Sequence, residues 1–503
     1  MLRPVLMAAL LAGLGLSNAH AQLPESVSLL LRGANIPEDA MGAIVLRGNT
    51  TVLSHGAERS MQPASTMKLV TTAVGLEQLG PIFRGRTELR TSADVINGVL
   101  KGDLILRGGA DTDFNADVLA HMLQTLRNQG IVKIKGDLIL DRQLFHPARL
   151  DINALPFDES AEFRYNVIPD ALLLNTNLLD INMNSTDRQL SILMQPPLEN
   201  VSITSDMKLV KGSCSRWEDG WRPPEYRRDA GGKLQVILHG TFPQNCNKAT
   251  SINVLDRNDY ADRLFRATWK RLGGTLTGTV REAPFTGLPP TAEPVGTRML
   301  ADHVARALPE VLRDINKTSD NTLARTLFLS LGSLQSDGWL GSRPVAMAAP
   351  EDTASRARLV IQEWFQRQHI DTQDMLVDNG SGLSRTGRIA PAQMAGVLQA
   401  MQQSPWAPEF QSSLPIVALD GTMRKRLLNS PAATRARIKT GTLKNVVAIA
   451  GYVPDANNQL CVVVAMINSD LVGNGNGRAA VDALIEWVAR SGATPVVTGS
   501  RSD

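Results

Sequence analysis

Two hydrophobic periods alternate along this chain, and each change of period marks a change of element. Near the start, Ala43-Ile44-Val45-Leu46 and Thr51-Val52-Leu53 flank Gly48-Asn49, which predicts a β-hairpin. A helix-period stretch follows over 65–79 and stops at Gly80-Pro81, a helix-terminating pair. From 87 to about 290 the pattern breaks into short strand-like runs between turns. Leu104-Ile105-Leu106, Leu138-Ile139-Leu140 and Leu234-Gln235-Val236-Ile237-Leu238 are examples. Two helix-like stretches, 117–129 and 259–272, sit within this β-rich region. Beyond 294 helical spacing returns over 299–312, 322–331 and 353–368. Near the end, apolar strands over 446–453 and 461–467 flank the turn Asp455-Ala456-Asn457-Asn458. A last helix over 477–490 places Val481, Leu484, Ile485 and Val488 on one face.

This order predicts an α+β protein folded from its two ends. The N-terminal hairpin and the C-terminal strands can join one antiparallel sheet. The last helix then covers one face, and the 65–79 helix with the middle helices covers the other. The core comprises 22–86 and 294–495, and 87–293 is looped out as a β-rich insertion of one or two modules. The polar stretch 496–503 reads as a tail.

A length of 503 residues is enough for two or more domains. A formal charge of +3, with no basic run carrying interleaved aromatics, argues against nucleic acid as a partner. The N-terminus reads as an export signal: Arg3, an apolar run over 5–16, then Ala19-His20-Ala21 as a small-x-small cleavage site. Residues 1–21 are therefore the expected signal peptide, and the mature chain begins at Gln22. The apolar run is too short to span a bilayer, which takes about 20 residues. No stable membrane anchor is expected, and the protein is placed in the periplasm, soluble or loosely associated with the membrane. In that oxidising compartment Cys214 and Cys246, in one loop-rich region, can pair. Cys461 opens an apolar strand and reads as a buried free thiol. The cysteine and histidine spacings suggest no metal site.

Ser65-Thr66-Met67-Lys68 places a hydroxyl and an amine on one helical face. A neutral Lys68 amine can take the Ser65 proton and create a nucleophile. Alone, the pattern is common and ordinarily means a solvated serine and lysine. Two later motifs change its meaning. Ser319-Asp320-Asn321 follows Lys317, and Lys439-Thr440-Gly441-Thr442 ends a strand-like segment. These three motifs, in this order, are the signature of active-site-serine penicillin-binding proteins and class A β-lactamases.

Each residue then has an expected task. Ser65 is the nucleophile at the positive end of a helix dipole. Lys68 is the base, its pKa lowered by burial and by the cations Lys317 and Lys439. Ser319 relays the proton toward the leaving amine. Asn321 holds a substrate amide through its donor and its acceptor. The same tripeptide also suits a helix N-cap, and both readings can hold. Lys439, Thr440 and Thr442 bind the substrate's terminal carboxylate, and Gly441 permits close approach. The N–H groups of Ser65 and Thr442 form the oxyanion hole.

Around these motifs the chain resembles the class C low-molecular-weight penicillin-binding proteins, the D-alanyl-D-alanine carboxypeptidase/endopeptidases. The resemblance is carried by the stretch from Met61 to Leu69 and by Asp378-Asn379-Gly380-Ser381-Gly382-Leu383-Ser384-Arg385. Leu414-Pro415, Asp420-Gly421-Thr422 and Lys317 add to it. It implies a penicillin-binding/serine β-lactamase-like transpeptidase core with two nested inserted modules, an outer one over 87–112 and 203–293 and an inner one over 113–202. It also implies that Ser65 cleaves between two D-residues of peptidoglycan stem peptides or cross-links through an acyl-enzyme. β-Lactams would acylate the same serine, and no cofactor or metal is implied. One alternative is a β-lactamase-like hydrolase, against which the long gap between Ser65 and Ser319 counts. The other is a non-catalytic peptidoglycan-binding scaffold, against which the complete set of motif side chains counts.

Overall fold

The computed structural model describes residues 22–284, 296–345 and 352–492. The signal segment 1–21, the tail 496–503 and the expected boundary at 293–294 lie outside the described residues.

Strand Met41–Arg47 pairs antiparallel with Thr50–His55 on one side and Leu460–Asn468 on the other. Leu460–Asn468 pairs with Val446–Pro454, and that strand pairs with Arg437–Leu443. The two ends of the chain therefore share one five-stranded antiparallel sheet, with Arg437–Leu443 at an edge. Successive side chains on a strand point to opposite faces. Cys461, Val463, Ala465 and Ile467 enter the core beneath the helices Glu25–Gly33 and Asn476–Arg490. Val462, Val464 and Met466 enter a second core with Val70, Val74 and Met394. Burial on both faces explains why this strand is an unbroken apolar run. Helix Lys68–Leu79 is buried along nearly its whole length and ends at Gly80, whose φ of 72° suits glycine. The helices Asn321–Ser333, Thr353–Arg367 and Pro391–Gln403 pack with it on the same face. Helix Glu25–Gly33 was not anticipated, because its buried apolar stripe is short, Val27 and Leu31.

The expected helix over 299–312 is two elements instead, strand Arg298–Val304 and the short helix Leu308–Arg313. The strand pairs with Arg86–Thr91, which satisfies its backbone without a helix. Pro309 sits in the first turn of the short helix, where a missing N–H costs nothing.

The insert is also divided elsewhere than expected. Arg86–Thr91 and Arg298–Val304 lie in a five-stranded sheet with Leu104–Gly109, Leu138–Asp141 and Val280–Glu282. A four-stranded sheet joins Val95–Ile96, Val99–Leu100, Lys133–Ile134 and Thr275–Leu276. Helices Ala116–Asn128 and Arg257–Arg271 pack with these sheets through Leu119, Met122, Leu264 and Phe265. Two further sheets are built within 179–252. So 116–141, expected in the inner module, pairs with outer strands, and 203–252, expected in the outer one, pairs with inner strands. Strand 298–304, expected in the core, belongs to the inserted sheet. Short apolar runs announce strands but not their partners. On this pairing we propose an outer module of about 86–141 and 257–304 around an inner module of about 142–256. A disulfide joins Cys214 to Cys246 across Cα atoms 5.4 Å apart, and Cys461 is a buried free thiol. Among the described residues no helix is long and apolar enough to cross a membrane.

Candidate active site

Ser65 lies in the single 3-10 turn Ala64–Met67 that leads into helix Lys68–Leu79. Ala64 has φ 46°, a left-handed conformation that is costly for a residue with a side chain. Ser65 is partly exposed, and Lys68, three residues on, is fully buried. The Lys68 amine lies 3.1 Å from Ser65 Oγ, 2.6 Å from Asn321 Oδ1 and 2.6 Å from the backbone oxygen of Ser381. Asn321 Oδ1 and the Ser381 carbonyl can only accept. In a neutral amine these two acceptors would take both protons and leave the lone pair for the Ser65 hydroxyl. Burial holds the Lys68 pKa well below the usual lysine range; Lys439 and Arg325 push it the same way, while Asp320 opposes them.

Ser319 ends the π-helical turn Asp314–Thr318 in a left-handed conformation, φ 62° and ψ 38°. Asp320, rather than Ser319, caps helix Asn321–Ser333 by accepting from the Leu323 N–H at 2.9 Å. Asn321 thus opens the helix with its side chain across to Lys68, and its Nδ2 donates to the Tyr165 carbonyl at 3.0 Å. Ser319 Oγ accepts from Lys439 Nζ at 2.9 Å. Its hydroxyl therefore contacts the Lys439 amine, where a relay from Lys68 was expected.

Lys439 is fully buried, and burial lowers its pKa to about 7. Its amine also donates to the Thr440 carbonyl at 2.9 Å. The Ile438 N–H points out of the sheet edge to the Pro415 carbonyl, 2.9 Å away. By strand alternation the N–H groups of Thr440 and Thr442 leave the same edge. That edge runs beside the serine turn. A Cβ on Gly441 would fall 2.7 Å from the Pro63 oxygen and 3.0 Å from the Ser65 nitrogen. The Gly441 backbone is thus packed closely against the backbone of the serine turn.

Lys317 departs from expectation. Its amine donates to the Leu414 carbonyl at 3.0 Å and to Asp420 Oδ2 at 2.5 Å. It fixes the turn that carries Thr422, whose hydroxyl accepts from Thr440 Oγ1 at 2.8 Å. Arg325, one helical turn beyond Asn321, supplies the second positive charge near Lys68 that was expected from Lys317. Ser381 was also missed as a contributor, because a backbone oxygen leaves no mark in a sequence. The glycine- and serine-rich segment 378–385 was its visible signal. Thr71 Oγ1 ties this segment down through the Gly380 carbonyl at 2.6 Å.

Residues 23–491 match the model of the D-Ala-D-Ala carboxypeptidase 3 (S13) family. The chain is 24% identical over 491 residues to the D-alanyl-D-alanine carboxypeptidase DacB of Haemophilus influenzae, covering 95% of this chain and 92% of that protein. It is 25% identical over 488 residues to a D-alanyl-D-alanine carboxypeptidase of Actinomadura sp., covering 93% of this chain and 84% of that one. The crystal structure of penicillin binding protein 4 (dacB) from Haemophilus influenzae superposes with a TM-score of 0.72 at 24% identity, over 92% of this chain and 99% of that one. The fold is therefore shared along nearly the whole of both chains.

Proposed function

The chain belongs to the D-Ala-D-Ala carboxypeptidase 3 (S13) family, and we propose that Ser65 and Lys68 carry out its acyl transfer. The protein is a serine-type D-alanyl-D-alanine carboxypeptidase/endopeptidase, a hydrolase of the penicillin-binding fold. In our reading Lys68 takes the Ser65 proton as Oγ attacks the carbonyl carbon between two D-residues. The N–H groups of Ser65 and Thr442 hold the developing oxyanion. The C–N bond then breaks. The leaving amine takes the proton that Lys68 removed from Ser65; we assign the relay to Ser319, whose hydroxyl must turn from Lys439 toward Lys68 to carry it. Water, deprotonated in turn, opens the acyl-enzyme and restores Ser65. Lys439 and the Thr440 and Thr442 hydroxyls receive the terminal carboxylate, and Asn321 holds the Lys68 amine through Oδ1. Peptidoglycan stem peptides are the proposed substrates, β-lactams the covalent inhibitors, and the periplasm the proposed location.

The observation that carries this assignment is the Lys68 amine, wholly enclosed, with two acceptor-only partners and the Ser65 hydroxyl 3.1 Å away. Incubation with a fluorescent penicillin tests it. Wild-type protein should carry one covalent label on the peptide containing Ser65, while Ser65→Ala and Lys68→Met should carry none. Unlabelled wild-type protein, or a label that persists in Ser65→Ala, refutes the assignment.

A further inference from the structure

A cavity of about 610 Å³ opens between helices Asn321–Ser333 and Thr353–Arg367 and the segment 150–169. Small-molecule sites commonly fall between about 300 and 1,000 Å³. Leu150, Phe157, Ile168, Phe328 and Leu329 make much of the wall apolar. Arg325 also lines it and is partly buried. Its guanidinium has one long hydrogen bond, 3.4 Å from Nη1 to the Val167 carbonyl. Its enclosed Nε has no partner, and among the described residues it forms no ion pair. The neighbouring arginines are satisfied. Arg257 is paired with Asp170 and Asp151, and Arg358 donates to the Asp378 carbonyl and to Ser355. Asp378 faces Arg325 without forming an ion pair, so the charge is incompletely offset, which is costly. A cavity beside it leaves room for a counter-ion.

We propose that this cavity binds a small aliphatic carboxylate, its head on Arg325 and its chain along Phe157, Phe328 and Leu329. Occupancy reaches the catalytic residues through shared supports. Arg325 lies one turn from Asn321 on the same helix. Asn379, in the same wall, accepts from the N–H and Oγ of Ser381, whose carbonyl holds Lys68. The charges facing Lys68 are those of Lys439, Asp320 and Arg325, and Asp378 faces Arg325. The Arg257, Arg358 and Asp151 side chains complete the charged part of the wall. An anion on Arg325 cancels a charge that disfavours protonated Lys68. It therefore favours the protonated amine and slows acylation at neutral pH. The slowing, unlike the binding, rests on Lys68 being the base.

Octanoate, 1-octanol and octylamine, titrated by calorimetry into the full chain, test the site. Octanoate should bind, octanol should bind at least roughly tenfold more weakly, and octylamine should not bind. Arg325→Leu should abolish the preference for octanoate over octanol. Ala354→Phe, which fills the cavity and keeps Arg325, should lose octanoate while accepting fluorescent penicillin at the wild-type rate. Octanoate should slow penicillin labelling of the wild type and leave Ala354→Phe unaffected. Titration into Ser65→Ala measures binding independently of the nucleophile assignment. No octanoate binding to the wild type, equal binding of octanoate and octanol, or octanoate binding undiminished in Ala354→Phe overturns the site.

Discussion

The buried Lys68 amine donates to the backbone oxygen of Ser381 across 2.6 Å, although the two residues lie far apart in the chain. This acceptor comes from the backbone, so the segment's path matters more than its side chain. Gly382 has φ 75°, and a Cβ there would fall 1.9 Å from the Ala64 oxygen. The segment holding the base is thus pressed against the turn holding the nucleophile.

Gly382→Ala should therefore displace both residues. Its penicillin acylation rate is expected to fall by about 10²-fold or more, with a lowered melting temperature. Ser381→Ala keeps the carbonyl and should stay within about tenfold of wild type by the same assay. Similar rates for both variants would show that the carbonyl does not position Lys68.

Asn321→Asp places a carboxylate where Oδ1 now accepts from Lys68 at 2.6 Å. A negative charge there favours protonated lysine and raises the Lys68 pKa. Acylation needs the neutral amine, so the rate at pH 7 should fall by roughly 10²-fold. It should recover as the pH climbs through the raised value. Asn321→Leu offers no charge and should be slow at every pH. Stopped-flow labelling across the pH range distinguishes the two, and parallel profiles would remove Asn321 from the control of Lys68.

The sequence reveals the site more fully than it reveals the insert, for a physical reason. Ser65 and Lys68 are joined by helical geometry, and Lys439, Thr440, Gly441 and Thr442 by a single strand. Local spacing fixes their relative positions. The meeting of the serine turn with the strand Arg437–Leu443 followed from folding both chain ends into one sheet, which the apolar runs 446–453 and 461–467 already suggested. The charge of Arg325 and the carbonyl of Ser381 were not legible. One depends on what surrounds a helix, and the other has no side-chain identity. The ion pair of Lys317 with Asp420 was hidden likewise, since long-range pairing leaves no periodic trace. Strand partners within 87–293 were not legible, because runs such as Leu138-Ile139-Leu140 fit any parallel neighbour equally well.

Gly441→Ala tests the oxyanion hole. The added Cβ has no room between the strand and the Pro63–Ser65 backbone. The strand must move outward and carry the Thr442 N–H with it. The kcat for D-Ala-D-Ala peptides should fall by about 10²–10³-fold, the range for losing one such donor. Melting temperature should change little, because an edge strand yields easily. A wild-type kcat would exclude the Thr442 N–H from this role.

Lys439 makes stability depend on pH. Its pKa is about 7 in the folded protein, against an ordinary 10.5. Between these values the unfolded chain binds the proton that the folded state has lost. Stability therefore rises with pH across this window, by as much as about 1.4 kcal/mol per unit. Below the folded value both states are protonated, and the full cost of burying the charge weighs on the fold. Above 10.5 that cost is gone. Lys68 has the same sign, so the wild-type slope contains both groups. Urea unfolding of wild type and Lys439→Met from pH 6 to 10 isolates the Lys439 share. The variant should show a shallower rise and should be closest to the wild type, or less stable than it, at the alkaline end. Coincident slopes would mean that Lys439 keeps its proton when buried, and the neutralisation of this amine near pH 7 would be wrong.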